Sequence, residues 1–227
     1  MLEYLFFDLE MFNGDGKVSS LDALLKELST NKCKEFEHVI PCIAKDIVDG
    51  LSYLHQRGVA HRDLKPGNVL ISNQHLLGLP SLQQEMQWRL KPWLAKLTDF
   101  GESWGKLAQS CEAACSFTAN VYKGTPAFMA PEVIDPSLRP LKMGEEQLEL
   151  ADIWSLGMLL FCLVNPSCQV PYGLEGKRQG VKPGKWQEFM KKKISTGERP
   201  EQDPDYSALR ATVWEPVEDV FKKCTLK

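Results

Sequence analysis

The chain has 227 residues, 43% of them hydrophobic and 25% charged, so it can bury one substantial core and shows no collagenous, low-complexity or disordered bias. Its formal charge of −3 gives no global attraction to nucleic acid or an anionic membrane, and its longest strongly apolar run, 153–164, is too short to span a bilayer. Seven scattered cysteines, odd in number, do not make a secreted disulfide framework and read as reduced thiols of a cytoplasmic protein. Cys111 and Cys115 have the spacing of half a zinc site, but no second pair follows, so they read as ordinary loop thiols.

The opening MLEYLFFDLEMF is apolar but interrupted by Glu3, Asp8 and Glu10, and no basic region precedes it. That pattern predicts a strand over 4–12, not a signal peptide, ended by the polar, glycine-containing stretch 13–20. Ser19 or Ser20 can cap a short helix through about Leu28, with Asp22 in its first turn to suit the helix dipole. Ile40, Ile43, Ala44, Ile47, Val48, Leu51 and Leu54 form one helical stripe, with Pro41 tolerable in the first turn and Gly58 as the stop. The short apolar runs 69–71 and 94–98 predict a small β-hairpin, but residues 73–93 are longer than a hairpin turn needs. They read as a part-helical surface insertion, either a tolerated excursion or a docking surface. Residues 151–164 are apolar nearly all round, as expected of a central buried helix, and Asn165-Pro166 stops it. The lysines of 182–199 are interrupted by Glu188 and Glu198 and predict a solvated helix face, and 212–227 predicts a last amphipathic helix.

Four ordered blocks carry the chemistry. They are His61-Arg62-Asp63-Leu64-Lys65-Pro66-Gly67-Asn68, then Asp99-Phe100-Gly101, then Gly124-Thr125-Pro126-Ala127-Phe128-Met129-Ala130-Pro131-Glu132, then Asp152-Ile153-Trp154-Ser155-Leu156-Gly157. An Asp and an Asn five apart on one loop can face a hydroxyl and a phosphate together, while a later Asp can hold a bridging metal. In this order the blocks resemble the catalytic domain of the serine/threonine protein kinase family, with Asp-Phe-Gly-Glu-Ser and Phe-Met-Ala-Pro-Glu most similar to its tyrosine-kinase-like branch.

The resemblance implies a protein-kinase-like α+β fold, mainly a helical C-lobe with a small β-hairpin, that uses ATP and Mg2+ to phosphorylate Ser and Thr of protein substrates. It makes Asp63 the catalytic base and Lys65 the cation that offsets charge on the transferred group, the latter placed as in serine/threonine kinases. Asn68 and Asp99 become the metal ligands, their hard oxygens suiting Mg2+. Asp8 and Glu10, in a hinge whose backbone receives adenine, become cofactor-binding residues with Leu70, under the purine, and Thr98. Arg62, Thr125, Glu132 and Asp152 support the activation segment, 99–132, where Arg62 is expected to grip a phosphate on Ser103, Ser110, Ser116, Thr118, Tyr122 or Thr125. Thr125 itself is expected to support Asp63 and Lys65, and Asp152 to hold the catalytic-loop backbone from beneath.

The sequence departs from the family pattern at both ends. Six residues precede Phe7, none a lysine, and no glycine-rich loop is present; the Arg expected to pair with Glu132 lies past Lys227. The expectation is a catalytic-lobe fragment: 1–12 the last strand and hinge of the small lobe, 13–227 the C-lobe truncated before its final helix, inactive alone and exposing an apolar face. A competing reading is a non-catalytic lobe that binds a kinase or scaffold partner. A third, a small-molecule phosphotransferase, fits Lys65 and the Ala-Pro-Glu block less well.

Overall fold

The computed structural model describes residues 20–31, 37–76, 78–105, 122–140 and 143–226. The expected strand over 4–12, with Asp8 and Glu10, lies outside the described residues, as do Cys111, Cys115, Ser110, Ser116 and Thr118. Helix α1, Leu21–Asn31, starts where Ser20 Oγ accepts a hydrogen bond from Ala23 N at 3.3 Å, and it buries Leu21, Leu24, Leu25 and Leu28. These four recur at i, i+3, i+4 and i+7, one stripe of a helix turned to the core.

Helix α2, Val39–His55, buries Val39, Ile40, Ile43, Ala44, Ile47 and Leu51, and Pro41 sits in its first turn, where no intrahelical N–H is required. Gly58, at φ +66°, turns the chain into β1, Val59–Ala60. A side chain would strain that left-handed conformation. The expected hairpin is present: β2, Val69–Ser72, runs antiparallel to β3, Leu94–Leu97, in the register Val69 with Leu97 to Ser72 with Leu94. A second antiparallel pair, β1 with β4, Trp104–Gly105, was not expected. With two residues to a strand, it leaves no periodicity to read.

Between β2 and β3, the insertion folds into α3, Ser81–Leu90, which buries no residue of its own. Its ends are nonetheless pinned. Trp93 is buried and meets Trp88 edge-on at 6.1 Å, Lys91 pairs with Asp46 of α2 at 2.5 Å, and His75 Nε2 donates to Lys91 O at 2.9 Å.

A short helix, α4, Pro131–Ile134, leads to α5, Glu145–Leu163, which is buried on nearly every side from Leu148 onward. Asn165 stops α5 by donating to Phe161 O at 2.9 Å, and its Oδ1 accepts from Arg210 at 2.8 Å and Asp203 N at 3.0 Å. Three short helices follow: α6, Gly173–Arg178; α7, Trp186–Thr196; and α8, Ser207–Arg210. On α7 only Met190 and Ile194 are buried, and Lys185 with Glu188 and Lys191 with Asp135 form surface pairs at 2.9 and 3.6 Å. The lysine-rich stretch is thus a solvated face.

The last helix, α9, Glu215–Cys224, lays Val217 and Phe221 against α5, with the Phe161 and Phe221 rings 5.5 Å apart. Gly157 permits the approach, because a Cβ there would come within 2.8 Å of Thr225 and 2.9 Å of Cys224. Cys42, Cys162, Cys168 and Cys224 are free thiols, and burial pushes the Cys162 thiol well up. Among the described residues no helix is long and apolar enough to cross a membrane.

Candidate active site

The loop after β1 is fixed from below. Asp152, 1% exposed on α5, accepts from His61 N (2.6 Å) and His55 Nε2 (3.0 Å) through Oδ2 and from Arg62 N (2.8 Å) through Oδ1. A carboxylate that accepts from two successive backbone amides holds that backbone in one conformation, here with Arg62 at φ +70°. His61, fully buried, locks the other side: its Nδ1 accepts from Asp63 N at 3.4 Å, which leaves Nε2 to donate to Thr98 O at 3.0 Å.

On this base Asp63 sits among donors. Thr125 Oγ1 donates to its Oδ1 at 2.8 Å, and Lys65 Nζ and Asn68 Nδ2 donate to its Oδ2 at 2.7 and 3.0 Å. Lys65 Nζ also donates to Thr125 Oγ1 at 2.8 Å, closing a triangle of Asp63, Lys65 and Thr125. Local chain geometry makes this possible. Leu64 is buried and splits the two outward side chains, and a 3-10 turn over Pro66–Asn68 folds Asn68 back so that Nδ2 also reaches Asp63 O at 2.8 Å.

The acidic turn is joined to the same loop. Thr98 N donates to Asn68 O at 3.0 Å, so Asp99 follows directly on the residue bonded to Asn68. Asp99 is exposed, at φ +61°, with Oδ1 accepting from Gly101 N at 3.4 Å, and Phe100 lies 5.3 Å from the His61 ring. Positive φ outside glycine occurs at Arg62, Asp99 and Tyr172 among the described residues, and two of these three border the site.

Arg62, Asp63, Lys65, Asn68, Thr98, Asp99, Thr125 and Asp152 are thus brought together. Leu70, half-buried on β2, pairs with Lys96 and bridges to Ser20. Glu132, half-buried on α4, receives Arg139 Nε at its main-chain oxygen at 3.0 Å, and Ser155 Oγ ties α5 to the same block through Phe128 O at 2.7 Å. Burial pulls the Arg62 guanidinium below its usual value, opposed by the carboxylates of Glu102 and Asp152.

Gly124 carries the block past the loop at φ +103°, where a Cβ would meet Arg62 O at 2.5 Å. Gly124→Ala is therefore expected to destabilise the fold by about 1–3 kcal/mol and to displace Thr125 from Asp63. Urea unfolding checks the first effect.

His55 was not anticipated as part of the site. It lies 97 residues from Asp152 in sequence, and nothing at the end of α2 distinguishes it from a capping histidine.

Among the described residues no group of three or more His, Cys, Asp or Glu could hold a metal ion. A metal held by one Asp, one Asn and a nucleotide's own phosphates needs no such group. Asn68 spends Nδ2 on Asp63, leaving Oδ1 as its acceptor, and exposed Asp99 offers carboxylate oxygen, so the donor chemistry fits Mg2+.

Residues 3–223 match the family model described as the protein kinase domain. The chain belongs to the protein kinase family. Among curated proteins, it is 36% identical over 122 residues to the calcium/calmodulin-dependent protein kinase kinase cmkC of Emericella nidulans, covering 54% of this chain and 18% of that protein. It is 30% identical over 171 residues to the serine/threonine-protein kinase ssp1 of Schizosaccharomyces pombe, covering 74% and 21%. To the MAP kinase kinase skh1/pek1 of the same yeast it is 33% identical over 141 residues, covering 62% and 30%. The chain spans less than a third of the length of each of these relatives.

Proposed function

We propose that this lobe carries the catalytic residues with which its whole protein transfers the terminal phosphoryl group of ATP to Ser and Thr hydroxyls of protein substrates. The observation that carries the reading is the closed triangle of Asp63, Lys65 and Thr125, which holds a carboxylate oxygen and an ammonium side by side in one orientation. Asp63 orients the acceptor hydroxyl and takes its proton as the new O–P bond forms and the bond to ADP breaks. Lys65 offsets the charge on the transferred group, and Thr125 keeps the two from drifting apart.

Asn68 and Asp99 would hold Mg2+, which neutralises phosphate charge when bound. Leu70 would pack under the purine, and Thr98 fixes the spacing between the catalytic loop and Asp99 through its backbone bonds. The preference for Ser and Thr rests on Lys65 and on the similarity to the serine/threonine-protein kinase ssp1.

The test is transfer of radiolabelled phosphate from ATP by the protein at its natural length to peptides bearing Ser or Thr, compared with Tyr alone. Incorporation should follow Ser and Thr, vanish on chelation with EDTA and return with Mg2+. A folded protein that shows no Mg2+-dependent transfer would favour the non-catalytic lobe instead.

A further inference from the structure

The sequence leads one to expect a phosphate held by Arg62; among the described residues of the same segment, the structure pairs a carboxylate with a lysine. Glu102 Oε2 lies 2.7 Å from Lys123 Nζ, with the two side chains 38% and 37% exposed. Lys123 and Arg62 line one small cleft together with Asp63, Thr125 and Asp152. Glu102 also favours the charged form of the Arg62 guanidinium against the cost of its burial. The carboxylate of the segment is thus paired with a lysine that shares its cleft with Arg62.

The pair spans two parts of the site that must be in register. Glu102 follows Asp99-Phe100-Gly101 directly, and Lys123 immediately precedes Gly124-Thr125. Gly124 abuts the carbonyl of Arg62, and Thr125 is bonded to Asp63 and Lys65. The ion pair therefore couples the turn bearing Asp99 to the block bearing Thr125. Two described hydroxyls of this segment are already engaged: Ser103 donates to Phe100 O at 2.7 Å, and Thr125 donates to Asp63.

Resting on the proposed phosphoryl transfer, we propose that Glu102 is a positioning residue that supplies, from within the chain, the negative charge that holds Lys123 at the cleft it shares with Arg62. Alignment of Asp99 with Thr125 then does not wait on phosphorylation. A carboxylate can do this because it offers two acceptor oxygens to the same cations that would bind a phosphate, with a smaller charge.

The test uses the protein at its natural length, treated with a broad-specificity phosphatase, with kcat and KM measured for a Ser/Thr peptide and ATP. Glu102→Lys puts a second cation against Lys123 and should lower kcat roughly tenfold, with KM for ATP changed by less than about threefold. Glu102→Gln, which removes the charge without adding repulsion, should lower kcat roughly two- to fivefold, as expected for a half-exposed pair. The double exchange E102K/K123E restores the opposite charges and should return kcat to within about threefold of the parent, with the urea-unfolding midpoint the same in all variants, whereas a merely structural pair would move that midpoint together with kcat.

Circular dichroism verifies the fold of each variant. The inference is overturned if Glu102→Gln and Glu102→Lys both leave kcat within about twofold of the parent, if the exchange gives no rescue, or if phosphatase treatment alone abolishes transfer. Asp63→Asn separates the two readings. Transfer that is absent, or indifferent to Asp63, sinks the proposed function, whereas Asp63-dependent transfer that ignores Glu102 sinks this inference alone.

Discussion

Asp63→Asn is expected to lower kcat for phosphoryl transfer by about 10²–10⁴-fold, the usual contribution of a positioned acid or base. The side chain keeps its volume but can no longer take the proton of the acceptor hydroxyl. A second loss comes from geometry: both oxygens of Asp63 accept hydrogen bonds, from Thr125 on one side and from Lys65 and Asn68 on the other. An amide has one oxygen, so its NH2 group must face a donor on one of those sides. The triangle with Lys65 and Thr125 then opens, and the ammonium proposed to offset charge loses its fixed place. The stability cost should be small by comparison, because Lys65 is 30% exposed and water can replace its lost partner. Steady-state kinetics on a Ser/Thr peptide, with the fold verified by circular dichroism, provide the check. A kcat within tenfold of the parent would remove Asp63 from the role of base.

What could be read from the sequence was whatever is encoded by neighbours. The stripes of α1 and α2 and the apolar run of α5 repeat at helical spacing, so their buried faces follow from burial of apolar surface. Asp63, Lys65 and Asn68 share one loop, and their meeting depends on a turn begun by Pro66, which is also local. The pairing of β2 with β3 was legible despite the α3 insertion because both strands are apolar and bounded by polar or turn residues. The two-residue pairing of β1 with β4 was not, since it is made by main-chain groups with no pattern in the side chains. Long-range polar contacts were equally hidden. That Thr125 would bond to Asp63 and Lys65 could be expected only from the family resemblance, and the contacts of His55 with Asp152 and of Glu102 with Lys123 had no signal at all. Such contacts depend on where two remote elements are set by packing, and no local propensity encodes that. Asp8 and Glu10, the expected hinge residues, lie outside the described residues, so the adenine side of the proposal rests on Leu70.

Asp152→Ala is expected to cost about 3–5 kcal/mol of stability, a large part of the roughly 5–15 kcal/mol available to a domain. The reason is the direction of its bonds. Asp152 is 1% exposed and is the acceptor for two backbone amides and one imidazole nitrogen. Its removal leaves those donors facing a void lined by α5 and the loop at 61–68, where an unmade bond carries its full desolvation penalty. The amides belong to His61 and Arg62, the two residues before Asp63, so the loop should lose its left-handed turn at Arg62 and, with it, the aim of Asp63. Stability and turnover should therefore fall together, unlike Asp63→Asn, where turnover falls with little loss of stability. Asp152→Asn should lie between the parent and the alanine variant, because its one oxygen can still accept from one side while its NH2 group confronts donors on the other. Urea unfolding of the three proteins, with kcat measured on the same preparations, tests this ordering. If Asp152→Ala cost less than about 1 kcal/mol, water would have to be replacing all three bonds, and the buried carboxylate could not be what shapes the loop.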